Sequence, residues 1–167
     1  DIGQSDVAHP SAMGYGFAKD VVSLSSVEMI NGFFVGCISP VGRESKCLRG
    51  VARLWQELRK LDGRKIVDTT GWIRGKRARE YKLAKLEIIQ PDVVVSFEGR
   101  PAFLDDFEVF EVESGAAFER DRIERARTRV EMYARWLSGA EVVEVSAQRV
   151  RIRSGIFDGR EIPVDFI

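Results

Sequence analysis

Two arginines in the last third of the chain, Arg125 and Arg129, have the type and spacing to bind an anion. They are four positions apart, so in a helix both guanidinium groups leave the same face and can reach one phosphate. Acidic residues lie in the same run, at Glu119, Asp121 and Glu124. The run therefore has two interpretations: a solvated helix face with ion pairs, or an anion clamp.

The segment Asp1-Ile2-Gly3-Gln4 combines an acid, a glycine and a polar amide. An Asp at the carboxyl end of a parallel strand is where α/β nucleotide enzymes hold a metal ion or a nucleophile. Gly3 would let the backbone turn close to a ligand. An ordinary turn after a strand has the same residue types, so both interpretations stay open.

A third segment, Thr69-Thr70-Gly71-Trp72, follows a predicted strand over residues 65–69 and so lies at the edge where open α/β sheets bind ligands. Trp72 is expected either to be partly exposed, where it can stack on a base, or to fold back onto the core. The basic residues that follow favour a polyanionic partner. Between Trp72 and Gln90 there are six basic residues and two acidic ones. The basic residues are Arg74, Lys76, Arg77, Arg79, Lys82 and Lys85.

The elements that would position these residues alternate along the chain. Apolar runs predict strands over 21–24, 32–38, 65–69, 93–97, 107–112, 141–145 and 149–153, and three- and four-residue apolar spacing predicts helices over 44–61, 77–90 and 118–137. This order favours an α/β fold with a mostly parallel sheet flanked by helices. We expect one domain over residues 1–139 and a short β extension over 140–167.

Composition excludes several classes of protein. With 44% hydrophobic and 31% charged residues, the 167-residue chain can form a core and is not of the disordered type. Twenty-six basic and 26 acidic residues exclude binding to nucleic acid by bulk charge alone, although 19 of the basic residues are Arg. Two Cys and one His are too few for a zinc site or a disulfide framework, and no apolar run could span a membrane. These features favour a cytoplasmic protein.

The three segments occur in the order D-x-G-Q, T-x-G-W and R-x-x-x-R, the last as Arg125-Ala126-Arg127-Thr128-Arg129. In this the sequence resembles the P-loop polynucleotide 5'-hydroxyl kinases that act on RNA, where these patterns are the Walker B motif, the substrate clasp and the lid helix. The amino-acid sequence around these motifs, for example from Phe34 to Pro40 and from Pro91 to Val95, is similar to that of the archaeal branch of the family. The resemblance covers most of the chain from Asp1 to about Gly139.

The resemblance implies a partial P-loop NTPase (RecA-like) fold of three layers, with ATP and Mg²⁺ as cofactors. Asp1 would hold the metal and orient the attacking hydroxyl, with Gln4 beside it. The partner would be the 5'-hydroxyl end of an RNA or a DNA, bound by the residues we call the clasp segment (residues 69–72) together with Arg74 and Arg77. The resemblance places Arg125 and Arg129 over the ATP phosphates and the transferred group. Arg120 and Arg122 offer a competing register there, and Arg122 is a further candidate for binding the nucleotide.

The family's phosphate-binding loop, G-x-x-x-x-G-K-[ST], precedes D-x-G-Q, and that pattern does not occur in these 167 residues. We therefore expect the chain to be part of a kinase, with a missing N-terminal segment as a further partner. Two alternatives remain: a non-catalytic, ATP-binding scaffold subunit of an RNA-processing complex, and a GTPase-like P-loop protein. The last would need a guanine-specificity motif, which the sequence does not contain.

Overall fold

A computed structural model of the chain describes residues 2–3, 5–19, 23–97, 99–113 and 121–144. Its helices and strands mix along the sequence, which confirms the α/β class. In chain order the elements are β1 (Ala12–Gly16), β2 (Met29–Phe34), α1 (Glu44–Leu58), α2 (Lys76–Ile89), β3 (Val94–Ser96), β4 (Val109–Glu111) and α3 (Arg122–Trp136). Short 3-10 turns lie at Leu24–Ser26 and Ala102–Leu104.

Strands β1 and β2 form an antiparallel pair in which Met13 lies opposite Phe33. Helix α1 packs against this pair, and its amphipathic sequence turns Cys47, Gly50 and Leu54 inward. Gly50 allows the close approach, because a Cβ there would lie 2.5 Å from Cδ1 of Phe33.

Strands β3 and β4 form a parallel pair, with Val94 opposite Val109. Helix α2 precedes β3 and ends at Gln90, whose left-handed conformation and following Pro91 stop the helix. Apolar spacing along α2 predicts that Leu83, Leu86 and one of Ile88 or Ile89 face inward. Ile89 is buried as predicted, whereas Leu83 and Leu86 are only half-buried. The other buried residues are Ala78, Tyr81 and Lys85, and the Lys85 ammonium lies over the Tyr81 ring.

Helix α3 begins at a capping box. The Asp121 carboxylate accepts from the N–H of Glu124, and the Glu124 carboxylate accepts from the N–H of Asp121. Both bonds satisfy N–H groups that a helix start leaves free. Residues 118–120 of the helix predicted over 118–137 lie outside the described residues.

Four buried residues, Ile2, Val35, Cys47 and Tyr81, form the core cluster. Half-buried apolar side chains surround it, among them Met13, Phe33, Cys37, Leu48 and Trp72. Contacts divide the chain into two units, Asp1–Leu137 and Ser138–Ile167, and only residues 138–144 of the second are described.

Several predicted strands are wrong. Residues 65–69 form no strand, since Ile66 is 93% exposed and the segment pairs with no strand of the described residues. Residues 23–24 of the strand predicted over 21–24 and residues 141–144 of the strand predicted over 141–145 are not strand either. Residues 21–22 and 145, and the whole strand predicted over 149–153, lie outside the described residues. Conversely, β1 was not predicted, because its two glycines and lack of β-branched residues hide the strand.

Candidate functional site

The clasp segment lies just before α2 and is held by a lysine of that helix. The Lys82 ammonium donates to Oγ1 of Thr69 at 2.6 Å and to the carbonyl oxygen of Thr70 at 2.5 Å. Thr70 is buried, whereas Thr69 and Gly71 are exposed. The conformation of the clasp segment is therefore set by α2, because no strand ladder constrains it within the described residues.

Trp72 both packs on the core and remains partly exposed, which were the two alternatives that the sequence left open. Its ring packs against the core cluster, with its centroid 5.9 Å from that of Tyr81 and the planes tilted by 36°. The side chain is only half-buried, so part of the indole remains accessible. A ring that packs on the core and keeps part of its surface accessible is a candidate for stacking against a base.

The six basic residues after Trp72 do not form one exposed patch. Lys82 is half-buried and Lys85 only 7% exposed. Arg77 is paired with Glu44 at 2.5 Å, which joins the start of α2 to the start of α1, and Lys76 lies 3.8 Å from Glu80. The exposed basic surface is accordingly smaller than the sequence indicates, with Arg74 and Arg79 among its exposed residues.

Burial changes the titration of the groups beneath the clasp segment. It lowers the pKa of Lys82, which the charge of Asp68 opposes. It also lowers the pKa of Lys85 to about 8, helped by the charge of Lys82. The Lys85 ammonium lies 4.3 Å from the centroid of the Tyr81 ring, a cation–π contact. Burial raises the pKa of both Tyr81 and Cys47.

At the start of α1, by contrast, the pKa of Glu44 is lowered, chiefly by a hydrogen bond with its own backbone and further by the charge of Arg77. Glu44 is thus an anion suited to its ion pair with that arginine. Arg77, one of the predicted substrate-binding residues, already has a carboxylate partner in this structure.

Asp1 and Gln4, the predicted catalytic pair, lie outside the described residues. Ile2, between them in the sequence, is 3% exposed and belongs to the core cluster that Trp72 contacts. The D-x-G-Q segment and the clasp segment therefore share one packing cluster through Ile2.

A short loop after the D-x-G-Q segment folds back on it. The N–H of Ser11 donates to the carbonyl oxygen of Ile2 at 2.8 Å, and the N–H of Ala8 donates to Oγ of Ser5 at 3.0 Å. Ala8 and Pro10 are buried. These contacts make the loop a fixed platform beside the D-x-G-Q segment.

Helix α3 docks on this platform. The Tyr133 hydroxyl donates to the carbonyl oxygen of Pro10 at 3.0 Å, so the 3.1 Å bond between Tyr133 and Ser11 has the Ser11 hydroxyl as donor. The ring of His9 lies 6.5 Å from the Tyr133 ring and 5.8 Å from the Trp136 ring. The C-terminal half of α3 is thus attached to the loop that follows D-x-G-Q.

The docked face of α3 carries the predicted lid arginines. Arg122, Arg125 and Arg129 precede Tyr133 by eleven, eight and four positions, spacings that place all four on one side of a helix. Arg129 is half-buried and the other two arginines are exposed. Arg127, two positions from each member of the predicted clamp, instead pairs with Glu131 at 3.0 Å.

The residues that support the site are not evident from the sequence. The sequence predicts a basic surface that includes Lys82 and Lys85, and it predicts no supporting role for Tyr81, Tyr133 or His9. One signal in the sequence points to Tyr133. It lies four positions after Arg129, and this spacing places its hydroxyl-bearing ring on the same face of the helix as the arginines.

No group of three or more His, Cys, Asp or Glu side chains within the described residues could hold a metal ion. Asp1, the predicted magnesium ligand, lies outside those residues. None of the described helices is long and apolar enough to cross a membrane.

An α/β chain with an arginine-bearing helix docked beside a D-x-G-Q segment has the features of a P-loop nucleotide-binding protein. Residues 1–139 match the family described as "mRNA cleavage and polyadenylation factor CLP1 P-loop". The chain belongs to this family, which confirms the resemblance found in the sequence, and its mixed α/β structure is consistent with the family's fold.

Individual relatives agree with this assignment. The chain is 27% identical over 170 residues to a polyribonucleotide 5'-hydroxyl-kinase of Pyrococcus furiosus, covering 97% of this chain and 48% of the relative. It is 25% identical over 177 residues to that of Methanocaldococcus jannaschii (99% and 48%), and 26% identical over 174 residues to that of Thermococcus kodakarensis (99% and 49%). The chain spans about half the length of the curated relatives it matches.

Proposed function

We propose that the protein containing this chain is an ATP-dependent polynucleotide 5'-hydroxyl kinase that acts on RNA. One observation carries the proposal: the clasp segment and the arginine face of α3 are both anchored at the D-x-G-Q region, through Ile2 and through the loop ending at Ser11. Phosphoryl transfer needs positioning and positive charge more than covalent help, and this arrangement offers both. The names of the archaeal relatives point to the same activity.

The clasp segment, residues 69–72, is the proposed binding site for the 5' end of the RNA. The accessible part of Trp72 would stack on the terminal base, and Thr69, Thr70 and Gly71 would line the site beside it. Arg74 is exposed and would contact a phosphate of the strand. Arg77 would do so only by exchanging its Glu44 partner for that phosphate.

Arginines of α3 are the proposed ATP-binding residues. Arg125 and Arg129 would bind the phosphates and the equatorial oxygens of the transferred group, and Arg122 would extend the same face. In the reaction the 5'-oxygen bonds to the γ-phosphorus, the bond from that phosphorus to the ADP oxygen breaks, and the hydroxyl proton is released to water. The charge that develops on ADP is what these guanidinium groups would stabilise.

Asp1 is the proposed Mg²⁺ ligand, with Gln4 beside it. A carboxylate oxygen is the ligand type that Mg²⁺ prefers, and the ion would neutralise charge on the phosphates.

The domain limits 1–139 and 140–167 remain predictions. The free thiols of Cys37 and Cys47 agree with the proposed cytoplasmic location.

The direct test is transfer of ³²P from γ-labelled ATP, with Mg²⁺, by the natural full-length protein to a 5'-hydroxyl oligoribonucleotide. The same oligonucleotide with a 5'-phosphate is the matched control, and we expect label only on the hydroxyl form. Binding of ATP without transfer would contradict the proposal and favour the scaffold alternative. Absence of ATP binding would contradict both.

Replacing Trp72 tests the clasp. Stacking on one base is worth about 1–3 kcal/mol, so Trp72→Ala should raise the KM for RNA by about 5- to 150-fold. The KM for ATP serves as the internal control and should not change. An unchanged KM for RNA would remove Trp72 from the site.

A further inference from the structure

Lys82 is the lysine of α2 that contacts the clasp segment directly. Two of its three N–H donors are used inside the protein, on Oγ1 of Thr69 and on the carbonyl oxygen of Thr70. The side chain is half-buried, and bonds from an ammonium group are among the stronger hydrogen bonds in proteins. Its geometry is that of a tether rather than of a solvated phosphate ligand.

The same turn of α2 also holds the other end of the clasp segment. Tyr81, adjacent to Lys82, packs against the Trp72 ring, and Lys85 covers the Tyr81 ring. One helix therefore fixes the threonines through Lys82 and the indole through Tyr81. A change at Lys82 would free the threonine end, and the backbone that leads into Trp72 would then no longer hold the indole at its angle to Tyr81.

We propose that Lys82 is a positioning residue, which sets the orientation of Trp72 for the terminal nucleotide without contacting the RNA itself. This inference rests on the proposed function, since it assigns the clasp segment to RNA. Burial lowers the pKa of Lys82, and the charge of Asp68 opposes this by favouring the ammonium form that makes both hydrogen bonds. A lysine partly enclosed in this way is poorly placed to exchange its two acceptors for a phosphate.

The first experiment needs no activity. In the full-length protein, Trp55, Trp136 and any tryptophan outside these 167 residues are replaced by Phe, so that Trp72 is the only tryptophan and acrylamide quenching reports its exposure. We expect Lys82→Met to change the quenching constant of Trp72 by about twofold or more, Thr69→Val to change it in the same direction by less, and Lys82→Arg to restore it in part. Lys60→Met, which removes an exposed charge after α1, should leave it unchanged.

The second experiment separates positioning from direct contact. Lys82→Met should raise the Kd for a 5'-hydroxyl oligoribonucleotide by about tenfold, as expected for loss of a charge-assisted hydrogen bond, with the salt dependence of binding unchanged. Where transfer is detected, the KM for RNA should rise and that for ATP should not.

Two outcomes overturn the inference. If Lys82 contacts the strand, Lys82→Met lowers the salt slope by about 0.7 and leaves Trp72 quenching as in the wild type. If quenching is unchanged in both Lys82→Met and Thr69→Val, the tether does not position Trp72, whatever the protein's activity. Thr69 is exposed, so its variant keeps the test valid even where Lys82→Met does not fold. A protein that shows the quenching change but transfers no phosphate refutes the kinase proposal and not the tether.

Discussion

The hydroxyl of Tyr133 lies 3.1 Å from Oγ of Ser11, although 122 positions separate the two residues. This bond and the one from Tyr133 to Pro10 join the arginine-bearing helix α3 to the loop after D-x-G-Q. Since Arg129 lies one turn before Tyr133 on the same face, the bonds fix the rotation of the helix as well as its position. The orientation of the arginines predicted to form the lid therefore depends on an uncharged side chain.

Removal of the Tyr133 hydroxyl should loosen this attachment. Tyr133→Phe keeps the ring contacts with His9 and loses both hydrogen bonds, so we expect the free energy of unfolding to fall by about 1–2 kcal/mol. Amide hydrogen exchange should increase in α3 when measured by mass spectrometry. Tyr15→Phe, which loses a hydrogen bond to Glu57 instead, is the matched control and should not affect exchange in α3.

The arginine face of α3 makes a second prediction. Arg125→Ala and Arg129→Ala should each lower kcat by about 10²–10³-fold, the usual cost of removing one group that stabilises transition-state charge. Arg127→Ala should leave kcat close to the wild-type value, since that guanidinium pairs with Glu131 on another side of the helix. Single-turnover transfer of the γ-phosphate by the full-length protein measures all three. Equal losses at the three positions would indicate a general charge effect and not a clamp.

The helices were predictable because their signals are local. Apolar spacing predicted α1 over 44–61 and α2 over 77–90, against the observed Glu44–Leu58 and Lys76–Ile89. Strands β3 and β4 lie inside their predicted ranges for the same reason. The strand predicted over 65–69 failed because a strand also needs a partner, and a sequence segment does not encode one.

The candidate site was predictable as motifs and not as contacts. The sequence predicted Trp72 either on the core or at an exposed edge. In the structure the ring packs against the core cluster and is still partly exposed. The sequence did not show that Lys82 and Lys85 are enclosed, because the apolar spacing of α2 identifies leucines and isoleucines as its inner residues, whereas the buried face also includes Tyr81 and Lys85. The contact of Tyr133 with Ser11 depends on how distant elements pack, which no local pattern specifies.

Burial of Lys85 predicts a pH dependence of stability. Its pKa is about 8 in the folded chain and about 10.4 in an unfolded one, so between these values the unfolded state binds more protons and the free energy of unfolding rises with pH. Lys85→Met removes the buried charge, and below pH 8 it should be more stable than the wild type by on the order of 3 kcal/mol. The advantage should disappear as the pH rises from 8 to about 10.5.

Urea unfolding of the wild type and of Lys85→Met at pH 7 and pH 10 measures this difference. Lys60→Met is the control, because an exposed lysine has no burial cost to relieve. A stability difference that stays constant between the two pH values would show that the Lys85 ammonium is not desolvated.

Packing at Gly50 makes the last prediction. In the middle of a helix, Gly to Ala alone stabilises by about 1 kcal/mol. Here the new Cβ would lie 2.5 Å from the Phe33 ring and 2.8 Å from Cε of Met13, and overpacking of this kind costs about 1–3 kcal/mol. The methionine can move aside, but the ring is held between α1 and the β1–β2 pair, so we expect Gly50→Ala to lower the free energy of unfolding. In a Phe33→Leu background the clash is relieved, and there the same substitution should stabilise the chain. A double-mutant cycle by urea unfolding tests the change of sign, and stabilisation by Gly50→Ala in both backgrounds would mean that the helix does not approach the strands this closely.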